Sequence, residues 1–252
     1  MTKNDTALIK PADIVDAMQL LTRLPVPAND SPRGAEAAWA YPLVGIVLGA
    51  LAAAVGLIGH AFGLPAPLSA LLSLATLIMA TGALHEDGLA DTADGLWGGW
   101  TIERRLDIMK DSRIGAYGVI ALFLGLAARW AALWMLFEIG PETAAAAILV
   151  AAAASRAMMP GVMCALPHAR SDGLSAQVGD VGRNAALVAL GLAALIAVIF
   201  SGWGGIMALF WALVVTALLA RIALTKIGGQ TGDILGATQN LAEIAVLFSL
   251  LA

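Results

Sequence analysis

The chain has 252 residues, of which 60% are apolar and only 13% charged, and its formal net charge is −4. A soluble domain carries about one-quarter charged residues, so this composition excludes an ordinary water-soluble globule. It indicates an all-α fold, a polytopic bundle of membrane helices that bury their polar groups between them. The single cysteine, Cys164, excludes an internal disulfide and a zinc site built from several cysteines. No basic patch indicates nucleic-acid binding.

Residues 1–39 are predicted to form a cytoplasmic amphipathic N-terminal arm, followed by a membrane helix bundle over residues 40–252. The polar start lacks the basic segment and short apolar run of a signal peptide, so no cleaved targeting segment is expected. Apolar residues are mixed with charged residues between Ile9 and Arg23, which indicates a surface helix. The proline-containing segment 24–27 is expected to end that helix.

A membrane-spanning helix needs about 20 mostly apolar residues. Seven stretches qualify as candidates, near residues 40–62, 64–84, 116–137, 142–166, 184–202, 204–222 and 234–252. The last is the weakest, because it contains Gln239, Asn240 and Glu243. It is either a span or a re-entrant or interior helix, so the bundle is predicted to have six to seven transmembrane helices. Arg129 and Arg156 fall inside spans, where an unpaired charge is costly, and each is expected to have a polar partner.

The distribution of cations predicts the orientation. The N-terminal arm and the loops near 85–115, 167–183 and 221–233 hold 12 of the 14 Lys and Arg residues. The positive-inside rule therefore places these segments in the cytoplasm. The sequence predicts a multi-pass protein of the cell's inner membrane, with the lipid bilayer as a partner. Seven spans would put the C-terminus near the outer surface.

An acidic segment, residues 85–95, follows the second predicted span and carries four carboxylates within nine residues and no cation. Asp87, Asp91 and Asp94 stand at i, i+4 and i+7, which places them on one face if the segment is helical. Hard oxygen ligands of this kind suit Mg²⁺ or Mn²⁺. The sequence thus predicts a metal site in a catalytic cytoplasmic loop, residues 85–115. The alternative is a solvated acidic loop.

Two neighbouring segments are expected to complete this site. A short amphipathic helix with Thr101 as its N-cap leads to Lys110 and Arg113, which lie where a phosphate could bind. Basic donors beside a metal are what phosphoryl transfer requires. The glycine-rich segment 228–237 opens the last helix and brings Asp233 to the same membrane surface.

Residues 85–95 and 104–118 closely resemble the cobalamin synthase family, also called adenosylcobinamide-GDP ribazoletransferase. Segments 21–27, 41–45 and 228–237 resemble its other motifs in the same order, so the likeness runs from about residue 20 to the last span. The resemblance implies a bacterial or archaeal membrane enzyme that needs Mg²⁺. It would join α-ribazole, or its 5′-phosphate, to adenosylcobinamide-GDP, releasing GMP and forming adenosylcobalamin or its 5′-phosphate.

The resemblance, added to the spacing, implies seven site residues: Glu86, Asp87, Asp91, Asp94, Lys110, Arg113 and Asp233. The three aspartates of the acidic segment are expected to bind Mg²⁺, with the glutamate in support. The two cations are expected to hold phosphates. Asp233 is either a further metal ligand or the base that takes the hydroxyl proton, and the sequence leaves these two roles open.

Two other classes of function remain as alternatives. CDP-alcohol phosphotransferases also use Asp- and Gly-rich motifs and Mg²⁺, but segment 87–91 has Asp where that family has Arg and is one residue shorter. A divalent-cation transporter would place its acids within the spans, whereas these lie at one surface. An enzyme is therefore favoured. The oligomeric state stays open, with a homo-oligomer among the partners considered.

Overall fold

The computed structural model describes residues 7–29 and 31–252. The first residues, on which the prediction of no signal peptide rests, lie outside that range. The described residues form a 3₁₀-helix, Gly34–Ala40, and these α-helices: α1 (Ala12–Leu21), α2 (Tyr41–Ala61), α3 (Ala66–Thr81), α4 (Leu84–Gly98), α5 (Ile102–Lys110), α6 (Ala116–Ile139), α7 (Pro141–Ala165), α8 (Leu174–Val178), α9 (Arg183–Ile227) and α10 (Gly232–Ser249). Among them no strand forms beyond an isolated parallel bridge between His168 and Gln230. The predicted all-α class is confirmed.

Helix α7 is the centre of the bundle. In its most apolar stretch 83% of the residues are buried, against 28% in the corresponding stretches of α6 and α9. Helix α2 packs directly on α7 through glycines: a Cβ at Gly45 would collide with the backbone of Ala152, and one at Gly49 would lie 3.2 Å from the Ala152 Cβ. Small residues let helix backbones approach closely without a hydrophobic driving force. The Ala- and Gly-rich composition therefore serves helix packing.

Four helices are long and apolar enough to cross a membrane: α2 together with the preceding 3₁₀-helix, α6, α7 and α9. Helix α3 is long and apolar enough to cross a membrane only if α3 and α4 are counted together as one broken span. The axes of these two helices differ in direction by 85°. Helix α9 changes direction at Gly202, whose backbone is not helical (φ 53°, ψ −129°). A Cβ at Gly205 would collide with the carbonyl group of Ala197, so the two arms of α9 fold back on each other. The predicted number of six to seven crossings stays a prediction.

The break between α3 and α4 sets the direction of the acidic segment. Gly82 and Ala83 both have left-handed backbone conformations, with φ of 64° and 58°. Arg23 N–H donates to the Ala80 carbonyl at 2.7 Å, which ties the segment after α1 to this corner. Helix α4 therefore starts afresh and runs across the end of the bundle. Because it carries four carboxylates, we expect it to lie outside the spanning part of the chain.

The N-terminal arm packs against the bundle through a buried carboxylate. Asp13 of α1 is fully buried and accepts hydrogen bonds from the Trp39 indole N–H at 2.7 Å and from the Arg33 guanidinium at 2.9 Å. Helix α1 forms where the sequence predicts a helix, and half of its residues are buried against the rest of the protein. Its contacts with the 3₁₀-helix fix the arm beside the start of α2. The cytoplasmic position of this arm stays a prediction.

The two arginines inside predicted spans have the polar partners expected of them. Arg129 is 2% exposed and donates to Glu243 at 2.9 Å, Asn240 at 2.9 Å and Glu86 at 2.6 Å. Arg156 is 1% exposed and donates to the backbone carbonyl of its own helix four residues earlier, at 3.0 Å. Neither guanidinium faces lipid, as predicted. The Arg129 cluster joins α4, α6 and α10 beneath the acidic segment.

Candidate active site

Helix α4 presents the predicted acidic face, because the segment is helical from Leu84 to Gly98. The three aspartates nevertheless differ in environment: Asp87 is exposed, Asp91 is half-buried and Asp94 is buried. The Asp94 carboxylate accepts the backbone N–H of Gly115 at 2.7 Å and that of Gly118 at 2.9 Å. These are unpaired donors at the start of α6. Asp94, predicted as a metal ligand, therefore caps α6 with both of its oxygens.

Asp233 lies next to α4 because two glycines let α10 and α4 cross closely. A Cβ at Gly88 would lie 2.9 Å from the Asp233 carbonyl oxygen and 3.0 Å from the Cα of Gly236. Thr231 caps α10 by accepting the Ile234 N–H at 3.3 Å, and its hydroxyl donates to the Asp233 carboxylate at 3.1 Å. The structure thus brings Asp233 to the same place as the acidic face, as the sequence predicted.

Burial, together with nearby negative charge, raises the pKa values of two of these carboxylates, Asp91 and Asp233. Partial burial raises the pKa of Asp91 to about 7, with further contributions from the negative charges of Asp87, Asp233 and Asp94. Burial also raises the pKa of Asp233, although the nearby Arg170 guanidinium opposes that shift. A cluster in which negative charges disfavour one another is stabilised by a cation. The donor set therefore fits a hard divalent ion.

In the described part of the chain, no three His, Cys, Asp or Glu side chains already converge closely enough to hold a metal ion. This arrangement is compatible with Mg²⁺, which usually takes one or two protein carboxylates and completes its shell with waters and substrate phosphates. Asp87 and Asp91 are the accessible carboxylates of α4, so they are the residues that would hold such an ion.

Arg170 is a site residue that the sequence analysis missed. The loop after α7 is joined to the loop before α10 by two backbone hydrogen bonds, Ala169 N–H to the Gln230 carbonyl at 2.9 Å and Gln230 N–H to the Pro167 carbonyl at 2.8 Å. This pairing directs Arg170 to Asp233, where the guanidinium and carboxylate are 3.2 Å apart. The predicted orientation puts the loop that contains Arg170 on the same side of the membrane as the acidic segment. The sequence of the loop after α7 contains no pattern that indicates a contact between Arg170 and Asp233.

The two cations predicted to hold phosphates have different positions. Lys110 forms an ion pair with Asp172 at 2.6 Å, and Arg170 lies 3.8 Å from the other oxygen of the same carboxylate. Arg113 is 87% exposed and pairs with Asp111 at 2.6 Å. Lys110 borders the cleft next to the acidic face, whereas Arg113 is not part of its wall. Asp172 therefore stands between the two cations that are near the aspartates.

Two cavities meet at Asp87. An open cleft of about 470 Å³ lies between α4 and α5 and is bordered by Glu86, Asp87, Asp91 and Lys110. A more enclosed cavity of about 240 Å³ has Asp87 and Asp233 in its wall, together with Arg170 and many apolar side chains. Asp87 thus borders both spaces. Two ligands held one in each cavity would meet at the carboxylates.

Glu86, predicted to support the metal ligands, belongs to the buried layer below them. One of its oxygens accepts the 2.6 Å hydrogen bond from Arg129, and the other has no protein partner. Its side chain therefore anchors the first turn of α4 to α6 and α10. Glu86 still borders the open cleft beside Asp87.

Residues 13–251 match the family model described as cobalamin-5-phosphate synthase. An adenosylcobinamide-GDP ribazoletransferase of Bradyrhizobium diazoefficiens is 45% identical over 241 residues, which cover 94% of this chain and 92% of that protein. Proteins of the same name from Azorhizobium caulinodans and Mesorhizobium japonicum are 43% and 44% identical, each over 95% of this chain and over 95% and 94% of their own lengths. No solved structure matches the chain. The chain therefore belongs to the cobalamin-5-phosphate synthase family of enzymes, and the resemblance seen in its motifs is confirmed.

Proposed function

We propose that this protein joins α-ribazole, or its 5′-phosphate, to adenosylcobinamide-GDP in a Mg²⁺-dependent phosphoryl transfer at the cytoplasmic face of the inner membrane. GMP is the leaving group. The observation that carries the proposal is the position of Asp87 between two cavities, with Asp91 and Asp233 beside it and Lys110 and Arg170 nearby. The relatives' names supply the two substrates.

The reaction needs charge compensation more than covalent chemistry from the protein, because phosphoryl transfer is mostly positioning and neutralisation. Asp87 and Asp91 would hold the Mg²⁺, which supplies charge neutralisation on the pyrophosphate. Lys110, on the wall of the open cleft, would hold a phosphate oxygen there. The Asp172 carboxylate pairs with that lysine at 2.6 Å, so a phosphate that binds Lys110 would take the place of this carboxylate.

The acceptor hydroxyl group must lose a proton as it forms the new P–O bond and the P–O bond to GMP breaks. Asp233 has a raised pKa and borders the enclosed cavity, so it is placed to take that proton. A raised pKa makes a carboxylate a better base near neutral pH. Arg170, 3.2 Å from the same carboxylate, would hold it in position.

The test uses the purified full-length protein in lipid nanodiscs, given adenosylcobinamide-GDP and α-ribazole with and without Mg²⁺. Stoichiometric formation of GMP and a complete cobamide, both lost when Mg²⁺ is chelated, is the expected result. Release of CMP from a CDP-alcohol instead would favour the phosphotransferase alternative. Mg²⁺ uptake into sealed vesicles without GMP release would favour a transporter.

A further inference from the structure

The enclosed cavity has a chemical character different from that of the open cleft. Its walls include the side chains of Tyr41, Met159, Met163 and Leu235, all of which are less than 9% exposed. Buried side chains of this kind give a pocket a fixed shape and an apolar surface. Its volume of about 240 Å³ is below the range of about 300 to 1,000 Å³ that takes a whole drug-sized ligand. The cavity therefore suits one ring system, not a macrocycle or a complete nucleotide.

His85, one of the residues that line the cavity, has a buried ring nitrogen without a protein partner. His85 is 2% exposed, lines the cavity, and its Nε2 atom forms no hydrogen bond within the described residues. Leaving a buried polar atom unpaired costs about 1 to 3 kcal/mol, so such atoms in native structures usually have a ligand or water partner. Because that nitrogen is enclosed by protein, the choice of ligand rests on the size of the cavity and on its apolar side chains.

Building on the proposed function, we infer that the enclosed cavity binds the aromatic base of the nucleoside acceptor, while the phosphates of the GDP-linked substrate lie in the open cleft. A bicyclic base with few polar atoms fits both the size and the apolar walls. Guanine needs partners for its amino, carbonyl and ring N–H groups, whereas the charged side chains of this wall, Asp87, Asp233 and Arg170, are already assigned to the metal and the acceptor hydroxyl. The corrin ring is too large for this volume.

A base bound in the enclosed cavity would also fix the positions of the acceptor hydroxyl and the phosphoryl group. A ribose attached to a base in the cavity would lie beside Asp87 and Asp233, which border that cavity. The same Asp87 borders the open cleft that contains Lys110. The acceptor hydroxyl and the phosphoryl group would therefore approach from opposite sides of one carboxylate. This explains why two separate cavities meet there.

The first experiment enlarges the cavity with Met159→Ala and Met163→Ala in the full-length protein in nanodiscs. The KM for α-ribazole is expected to rise about tenfold, in line with the loss of apolar contacts to the base. The KM for adenosylcobinamide-GDP should change less than twofold. An α-riboside with a larger tricyclic base should become a better substrate for these variants than for the wild type.

The matched control is Met158→Ala. Met158 lies on the same helix and is 1% exposed, but it lines a different groove, between α7 and α9. Its replacement should lower stability as much as the other two changes and leave both KM values unchanged. If the cavity variants instead raised the KM for adenosylcobinamide-GDP and not that for α-ribazole, the inference would be wrong although the proposed function would stand. If the wild type released no GMP, the proposed function itself would fail.

A second experiment needs no variant. An α-ribazole analogue with a photoreactive group on its base is irradiated with the wild-type protein, and the labelled peptides are identified by mass spectrometry. Labelling of α7 near Met159 and Met163, or of α10 near Leu235, is the expected result. Labelling confined to α5, which borders only the open cleft, would contradict the inference.

Discussion

At the scale of single residues, the three aspartates of α4 differ in what they contact, so their replacements should differ in effect. Asp87 and Asp91 have accessible carboxylates beside Asp233, whereas Asp94 accepts two backbone N–H groups of α6. Asp87→Asn and Asp91→Asn should each lower turnover by several orders of magnitude, because a metal ligand is lost. Their folding should be retained.

Asp94→Asn should mainly affect stability, by about 1 to 2 kcal/mol, because the amide replaces a charged cap of a helix N-terminus. Turnover is measured at varied Mg²⁺ concentrations, and thermal unfolding is measured in detergent. Together the two measurements distinguish a metal ligand from a helix cap. Equal loss of turnover in all three variants with unchanged unfolding midpoints would show that Asp94 binds the metal and is not a structural cap.

The raised pKa of Asp91 predicts how the Mg²⁺-free protein responds to pH. The group has a pKa of about 7 in the folded protein against 3.8 as the reference, so the folded state binds its proton more tightly than the unfolded state does. Stability from this group is therefore complete below the unfolded pKa and is lost as pH rises to about 7. Asp91→Asn should flatten that slope. The unfolding midpoint is measured across this range without Mg²⁺, and a wild-type midpoint that rose with pH while the variant's stayed flat would contradict the assignment.

At the scale of elements, the crossing of α4 and α10 positions the carboxylates relative to one another. Gly88→Ala introduces a Cβ 2.9 Å from the Asp233 carbonyl oxygen, so the two helices must move apart. A misplacement approaching 1 Å at a reacting group costs about a hundredfold in rate, and we expect a loss of between about tenfold and a hundredfold in turnover. The control is Gly161→Ala in α7, where nothing lies within 4 Å of the new Cβ. Unchanged turnover in Gly88→Ala would mean that this crossing does not set the site.

The buried cluster around Arg129 joins three helices, and its loss should be costly. Arg129→Leu would leave Glu86 and Glu243 buried without their cation. Breaking a buried ion pair by removing one partner costs about 3 to 5 kcal/mol. The unfolding midpoint in detergent should fall strongly, and the double variant Arg129→Leu with Glu243→Gln should recover part of the loss. A single variant as stable as the wild type would refute a structural function for this cluster.

At the scale of the whole molecule, the position of the C-terminus depends on how α10 relates to the membrane. Three of its residues, Gln239, Asn240 and Glu243, are at most 2% exposed and face the interior of the bundle. Seven crossings with a cytoplasmic N-terminus put the C-terminus near the outer surface. A reporter fused after Ala252 is therefore expected to be active outside the cytoplasm. Cytoplasmic activity would favour six crossings, with the final helix as an interior or re-entrant element.

Much of the architecture could be predicted from the sequence because it depends on local pattern. The helical acidic segment and the Thr101 cap of α5, which accepts the Arg104 N–H at 3.2 Å, both follow from residues a few positions apart. The need of Arg129 for a partner followed from the cost of a charge in lipid. These predictions depend only on residues close together in the sequence and on the cost of placing a charge in lipid, so they did not require the fold to be known.

The tertiary structure alone decided which side chains meet. Arg170 reaches Asp233 across 63 positions of the chain, Arg129 reaches Glu86 across 43, and Asp94 reaches the start of α6 across 21. No periodicity within a helix records such contacts, because they depend on the break at Gly82 and Ala83 and on the close crossing of two later helices. The sequence by itself therefore determined the helices, the acidic face and the family. Which aspartates stay accessible, and which cations face them, depends on how the helices pack.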